Sequence, residues 1–149
     1  MKVQVSRDAF STALGAVERA VPSKSNLPIL SHILLDARDG QLTLTATDLG
    51  VMITDRATAV VTDPGTVTLP AAVLSGWLGL LEKTALIEIS THGTKAHLES
   101  GRSISKYATG APDEFPPLPV MDDDATVIEV EAKAFALGLG EVLVAAAAK

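Results

Sequence analysis

VQVSRDAFSTALGAVERAVPSK, residues 3–24, is the stretch from which the rest of the chain is read. Val3 and Val5 alternate with polar residues, as one face of a half-buried strand from Lys2 to Ser6 does. After Ser6 the period changes. Phe10, Leu14, Val17 and Val21 fall on one helical stripe, with Asp8, Thr12, Gly15 and Arg19 opposite. Ser6 suits the N-cap, and Asp8 in the first turn complements the helix dipole. Pro22 ends the helix and opens a loop, residues 22–26, that carries Lys24.

The same unit returns at Ile128 to Lys149, IEVEAKAFALGLGEVLVAAAAK. A gap-free overlay matches Val5 with Val130, Phe10 with Phe135, Leu14 with Leu139, Gly15 with Gly140, Val17 with Val142 and Lys24 with Lys149. A weaker copy, VTLPAAVLSGWLGLL, runs from Val67 to Leu81; Val67 answers Val3, Ser75 answers Ser11, Leu78 answers Leu14 and Gly79 answers Gly15. Strand–helix units at regular spacing indicate a repeat architecture.

Between the copies the pattern is strand-like. Ile29 to Asp36 is apolar and β-rich, Gln41 to Thr47 alternates, and Val51 to Val61 follows a turn at Asp48 to Gly50. Asp39-Gly40 is a hairpin signal. The second half repeats the order. Val67 to Leu69 is a strand, Pro70 to Leu81 a helix with proline at its first position, and Leu86 to Ser90, Lys95 to Glu99 and Arg102 to Ala108 are strands. Each half reads strand, helix, strand, strand, strand, an α+β class with two helices packed on antiparallel sheets. Gly110 to Asp124, with four prolines and then Asp122-Asp123-Asp124, reads as an extended linker. The expected domains are 1–122 and an incomplete second domain over 123–149, a strand plus helix with no sheet of its own to lie on.

Composition narrows the function. The 149 residues contain no cysteine, so no disulfide or Cys-ligated metal is available, which fits a cytoplasmic location. No apolar run is long enough to span a membrane, and the N-terminus lacks a signal-peptide core. A net charge of −6 argues against wholesale coating of nucleic acid but leaves room for a local basic strip. One Trp, one Tyr and three Phe are too few for a base-stacking platform. His32, His92 and His97 form no metal motif: the spacing of the last two would suit a helix, and the region reads as a hairpin. No nucleophile elbow or phosphate loop is present, so neither metal, cofactor nor enzymatic activity is expected.

Two features remain. The second helix is apolar on two sides, with Leu74, Leu78 and Leu81 on one stripe and Val73, Trp77 and Leu80 on another; either the helix is deeply buried or its second face meets a partner. Arg19, Lys24 and Lys149 are sparse cations. Ordinary solvated charges would explain them, but the repeat copies Lys24 onto Lys149, and a repeating cationic surface suits a phosphate backbone.

The segments Asn26-Leu27-Pro28-Ile29-Leu30, Leu42-Thr43-Leu44-Thr45-Ala46-Thr47-Asp48-Leu49, Ser100-Gly101-Arg102-Ser103 and Glu114-Phe115-Pro116 resemble the bacterial DNA polymerase III beta subunit, the sliding clamp. The resemblance implies the first domain, plus the start of the second, of a two-subunit ring that encircles double-stranded DNA and tethers the polymerase. It implies that Lys24, at a basic position of the family, and Arg19 face the channel. It also implies that the second helix and the strand after Gly101 meet a second clamp subunit through Val73, Trp77, Leu81, Ile104 and Tyr107. Two family features are missing: the basic residue near the start of the second helix is Ala72 here, and the interface aromatic is Ser105. DNA polymerase III subunits and the clamp loader would be reached through regions outside this chain. A protein-binding β-repeat module not acting on DNA is the alternative, resting on an exposed Trp77; a small enzyme with an unrecognised site is a more distant one.

Overall fold

The computed structural model describes residues 1–119, 124 and 126–146. It divides into two compact units, Met1–Pro117 and Leu118–Lys149. In the first, β1 (Lys2–Ser6) buries Val3 and Val5 and exposes the residues between them. It runs directly into α1 (Arg7–Val17), where the Ala9 amide donates to the Ser6 hydroxyl at 3.2 Å. The helix buries Phe10, Ala13, Leu14 and Val17, each large side chain contributing about 1.5–3 kcal/mol. It then tightens into a single 3-10 turn, Glu18–Ala20, because Val21 before Pro22 is held extended.

The strand expected from Ile29 begins later. Pro28–Ser31 is a 3-10 turn in which Pro28 supplies the fixed φ, Ser31 donates its hydroxyl to the Pro28 carbonyl at 2.7 Å, and Leu30 is buried. β2 (His32–Arg38), β3 (Gln41–Thr47) and β4 (Met52–Asp63) follow. Asp39 and Gly40 both have positive φ, 51° and 72°, as the type I′ turn between β2 and β3 requires. The Thr47-Asp48-Leu49 piece earns its place in the turn after β3. Asp48 Oδ1 accepts the amides of Gly50 and Val51 at 2.9 and 2.7 Å, and Thr47 Oγ1 accepts the Leu49 amide at 3.0 Å. Together they hold Leu49 at a φ of 74°.

The second half gives β5 (Gly65–Pro70), α2 (Ala71–Leu78), β6 (Leu86–His92), β7 (Lys95–Ser100) and β8 (Ser103–Ala108). The expected helix from Pro70 to Leu81 is shorter at both ends: Pro70 is the residue before the helix, and Gly79 follows its last turn. All strand pairs are antiparallel, in the order β5-β2-β3-β4-β1-β6-β7-β8. The α+β class with two strand–helix–three-strand halves is therefore the architecture found, with pairings between the halves that periodicity did not specify. β1 pairs on one side with β4 of its own half and on the other with β6 of the second half, while β5 leaves its half to pair with β2. β4 is long because it is the seam: Met52–Thr58 pair with β3 and Ala59–Asp63 with β1.

Phe10, Leu35, Leu44, Leu74, Ile89 and Leu98 from both halves share one core cluster. The proline-rich segment after β8 is not an extended linker throughout. The Gly110 amide donates to the Thr68 carbonyl at 3.2 Å, Pro112–Glu114 is a 3-10 turn, and Phe115 is buried. An aromatic anchor thus ties this segment to the first unit. The acidic run and the expected boundary at 122/123 fall mostly outside the described residues. In the second unit α3 (Ala132–Leu143) forms, capped by Glu131, whose carboxylate accepts the Lys133 and Ala134 amides at 3.0 and 2.6 Å. The strand expected before it does not: residues 126–131 join no ladder among the described residues, and Ile128 and Val130 are exposed. A strand without a neighbour leaves its amides and carbonyls to water, which removes the reason to be a strand.

Candidate nucleic-acid interface

The repeat lays α1 and α2 side by side in the first unit. Their seam is polar. Arg7 donates from Nη2 to the Leu78 carbonyl at 3.4 Å, and the Ser75 hydroxyl donates to the Glu18 carboxylate. Ser11, Gly15 and Gly79 line the same groove. Gly15 and Gly79, like Ser11 and Ser75, are the pairs matched between the two copies, and all four line this groove. The overlay carried that signal; the roles of Arg7 and Glu18 went unread because a charged residue on a helix is most often solvated. Arg7 Nε is buried without a hydrogen-bond partner. The Glu18 carboxylate is directed into the seam, which takes one negative charge away from the open side of α1.

That open side is as the helical wheel has it. Asp8, Thr12, Gly15 and Arg19 are all exposed. Arg19 sits in the 3-10 turn after α1. Lys24 is exposed in the irregular segment beyond it. Neither forms a salt bridge among the described residues, whereas Lys2 pairs with Glu88 at 3.0 Å and Arg38 with Asp36 at 2.8 Å. Both free cations lie on the connection from α1 to β2, residues 18–31, which is twice as long as residues 79–85 at the equivalent place in the second half. Lys149 lies outside the described residues.

The residues expected at a subunit contact divide. Ile104 is 58% exposed on β8, whose second edge has no ladder partner among the described residues. Val73 is half-buried, and Leu81 and Tyr107 are partly buried against the core. Trp77 corrects the expectation of an exposed second stripe: it is 3% exposed, its ring inside the core and its indole N–H without a partner. With the helix ending at Leu78, the outward apolar side chain is Leu80, 81% exposed in the following turn. Leu80, Leu81 and Leu86 line an open groove with Arg102, beside the β7–β8 turn.

Burial lowers the pKa of the His32 imidazole, partly offset by a hydrogen bond with the Thr68 backbone. Among the described residues no group of three or more His, Cys, Asp or Glu side chains could hold a metal, and no helix is long and apolar enough to cross a membrane.

Comparison with known proteins agrees with this geometry. Residues 1–119 match the family described as DNA polymerase III beta subunit, N-terminal domain. The beta sliding clamp of Synechococcus elongatus is 33% identical over 147 residues, covering 97% of this chain and 39% of the relative. That of Streptomyces coelicolor is 31% identical, covering 98% of this chain and 38% of the relative. The solved structure of Caulobacter crescentus pol III beta matches with a TM-score of 0.83 at 31% identity, over 94% of this chain and 38% of that one. The chain thus spans about two fifths of the length of the curated relatives it matches. With the family's N-terminal domain matched along residues 1–119 and a solved member of the family superposing at a TM-score of 0.83, the chain belongs to the DNA polymerase III beta subunit family.

Proposed function

We propose that the chain supplies the first domain of a sliding clamp, a non-enzymatic processivity factor whose ring encircles duplex DNA in the cytoplasm and tethers the replicative polymerase. The observation that carries this reading is the family match over residues 1–119, joined to two side-by-side helices with unpaired cations at one end. Arg19 and Lys24 would touch phosphates and no base edges, so binding would be independent of sequence. The open edge of β8, with Ile104 and Tyr107, and the groove at Leu80 and Leu81 would meet a second clamp subunit, extending the sheet across the boundary. Val73 would border that contact, and Trp77 would support it from behind. Polymerase III subunits and the clamp loader would engage regions beyond these residues.

Grafting residues 1–117 onto the remaining domains of the Caulobacter clamp tests the reading. The chimera should be retained on circular DNA. Arg19→Ala with Lys24→Ala should shorten retention and lower the salt slope by about 1.8, at about 0.9 per phosphate contact. Retention that ignores both substitutions would remove these residues from the DNA contact. The alternative of a binding module built on an exposed Trp77 loses its support, because that side chain is buried.

A further inference from the structure

The β6–β7 hairpin carries two histidines on the face turned away from the core. Ile87, Ile89, Ala96 and Leu98 are buried, so the alternate positions, His92 and His97 among them, point outward. His92 pairs with Lys95 and His97 with Ser90, which makes the histidines diagonal neighbours. Their rings converge all the same, with centroids 5.0 Å apart and planes tilted by 55°. Two imidazoles bound to one metal ion at about 2.0–2.1 Å have centroids about 4.5 Å apart for a right angle at the metal and about 5.2 Å apart for a tetrahedral angle. The observed separation lies between the two.

The scaffold is already set. A two-residue loop, Gly93-Thr94, joins the strands, with Gly93 at a φ of 60°, and the Thr109 amide donates to the Thr94 carbonyl at 3.0 Å. The pair therefore needs ring rotation and no backbone change to close on an ion, which keeps the ordering cost of binding low.

We propose that His92 and His97 form a two-imidazole site for a divalent transition metal ion of the nickel, copper and zinc class, with water in the remaining positions. Nitrogen donors suit these ions, and copper should bind tightest. Magnesium and calcium would want a set of oxygen ligands that the hairpin does not converge. Lys95 and Lys106 lie directly across from His92 and His97. Both lysines are exposed, and their long stems let the ammonium groups turn into solvent. A helix is not needed to bring the two histidines together; a tight hairpin does it through the diagonal.

Calorimetric titration of Ni2+ into the complete chain, near neutral pH in a non-chelating buffer, should show one ion bound per chain. His92→Asn and His97→Asn should each weaken binding at least about tenfold, the order of loss that even outer-shell substitutions cause. His32→Asn should leave it unchanged. In the unsubstituted chain, substoichiometric Ni2+ should broaden the ring-proton NMR signals of His92 and His97 ahead of those of His32, a readout that requires no variant to fold. Absence of binding at millimolar Ni2+, full affinity in either single variant, or broadening centred on His32 would each overturn the proposal.

Discussion

α1 and α3 are the same helix in two circumstances. Their sequences align without a gap through Phe10/Phe135, Leu14/Leu139 and Val17/Val142. In α1 these side chains are 0%, 3% and 0% exposed; in α3 they are 59%, 46% and 63% exposed. The pattern of apolar residues proposes the helix in both places, but only a sheet beneath it turns the pattern into stability. At 12 residues, α3 is at the length where an isolated helix is marginal in water, whatever its sequence.

The comparison can be broken most easily at its phenylalanines. Phe10→Ala should cost the first unit about 3–5 kcal/mol, read as a shifted urea midpoint. Phe135→Ala should leave that transition in place; equal losses would mean that α3 is packed as α1 is. A smaller contrast uses glycine. A Cβ on Gly110 would lie 2.5 Å from Thr68 Oγ1 and 3.1 Å from His32 Nδ1, so Gly110→Ala should destabilise by about 1–3 kcal/mol. A Cβ on Gly138 meets nothing within 4 Å, so Gly138→Ala should add helicity, by about 1 kcal/mol at most. Next come the caps. Ser6→Ala should cost about 1 kcal/mol by denaturation. Glu131→Ala should instead appear as lost far-UV ellipticity, since no side chain of α3 is buried among the described residues.

Acidification sharpens the same contrast with the smallest effects. The His32 pKa is lowered from 6.5, chiefly by burial, so the folded first unit binds that proton less readily than the unfolded chain. Its contribution is complete above pH 6.5 and declines as pH falls below it, and His32→Asn should flatten that part of the profile. Glu131 is lowered from 4.5 by the Lys133 amide first and the Ala134 amide second, so α3 keeps its cap above pH 4.5 and loses it as pH falls further. Helicity followed by circular dichroism and the urea midpoint followed by Trp77 fluorescence should respond in these two separate windows.

Much of this was legible in the residues. Gln41 to Thr47 is the observed β3, and α1 starts at the cap that Ser6 announced. Local periodicity identifies such elements because it depends on neighbours in sequence. It does not choose strand partners, so the place of β1 between β4 and β6 and the pairing of β5 with β2 were invisible. Trp77 was misplaced for a related reason: a helix apolar on two sides can be sandwiched by its own domain or by another, and the wheel is the same. Phe115 was read as part of a linker because prolines around it masked a single anchor. Of the proposed DNA contacts, Arg19 was singled out by helical position and Lys24 by the repeat. The Arg7–Leu78 and Glu18–Ser75 contacts were not, since each joins residues more than fifty positions apart.

The ladders β1–β6 and β5–β2, which join the two halves, have a consequence for how the first unit comes apart. Cut between β4 and β5, the first piece loses β5 from the edge of β2, and the second loses β1 from the edge of β6. Each half therefore relies on the other for a strand neighbour, so the first unit should unfold in a single urea transition rather than two.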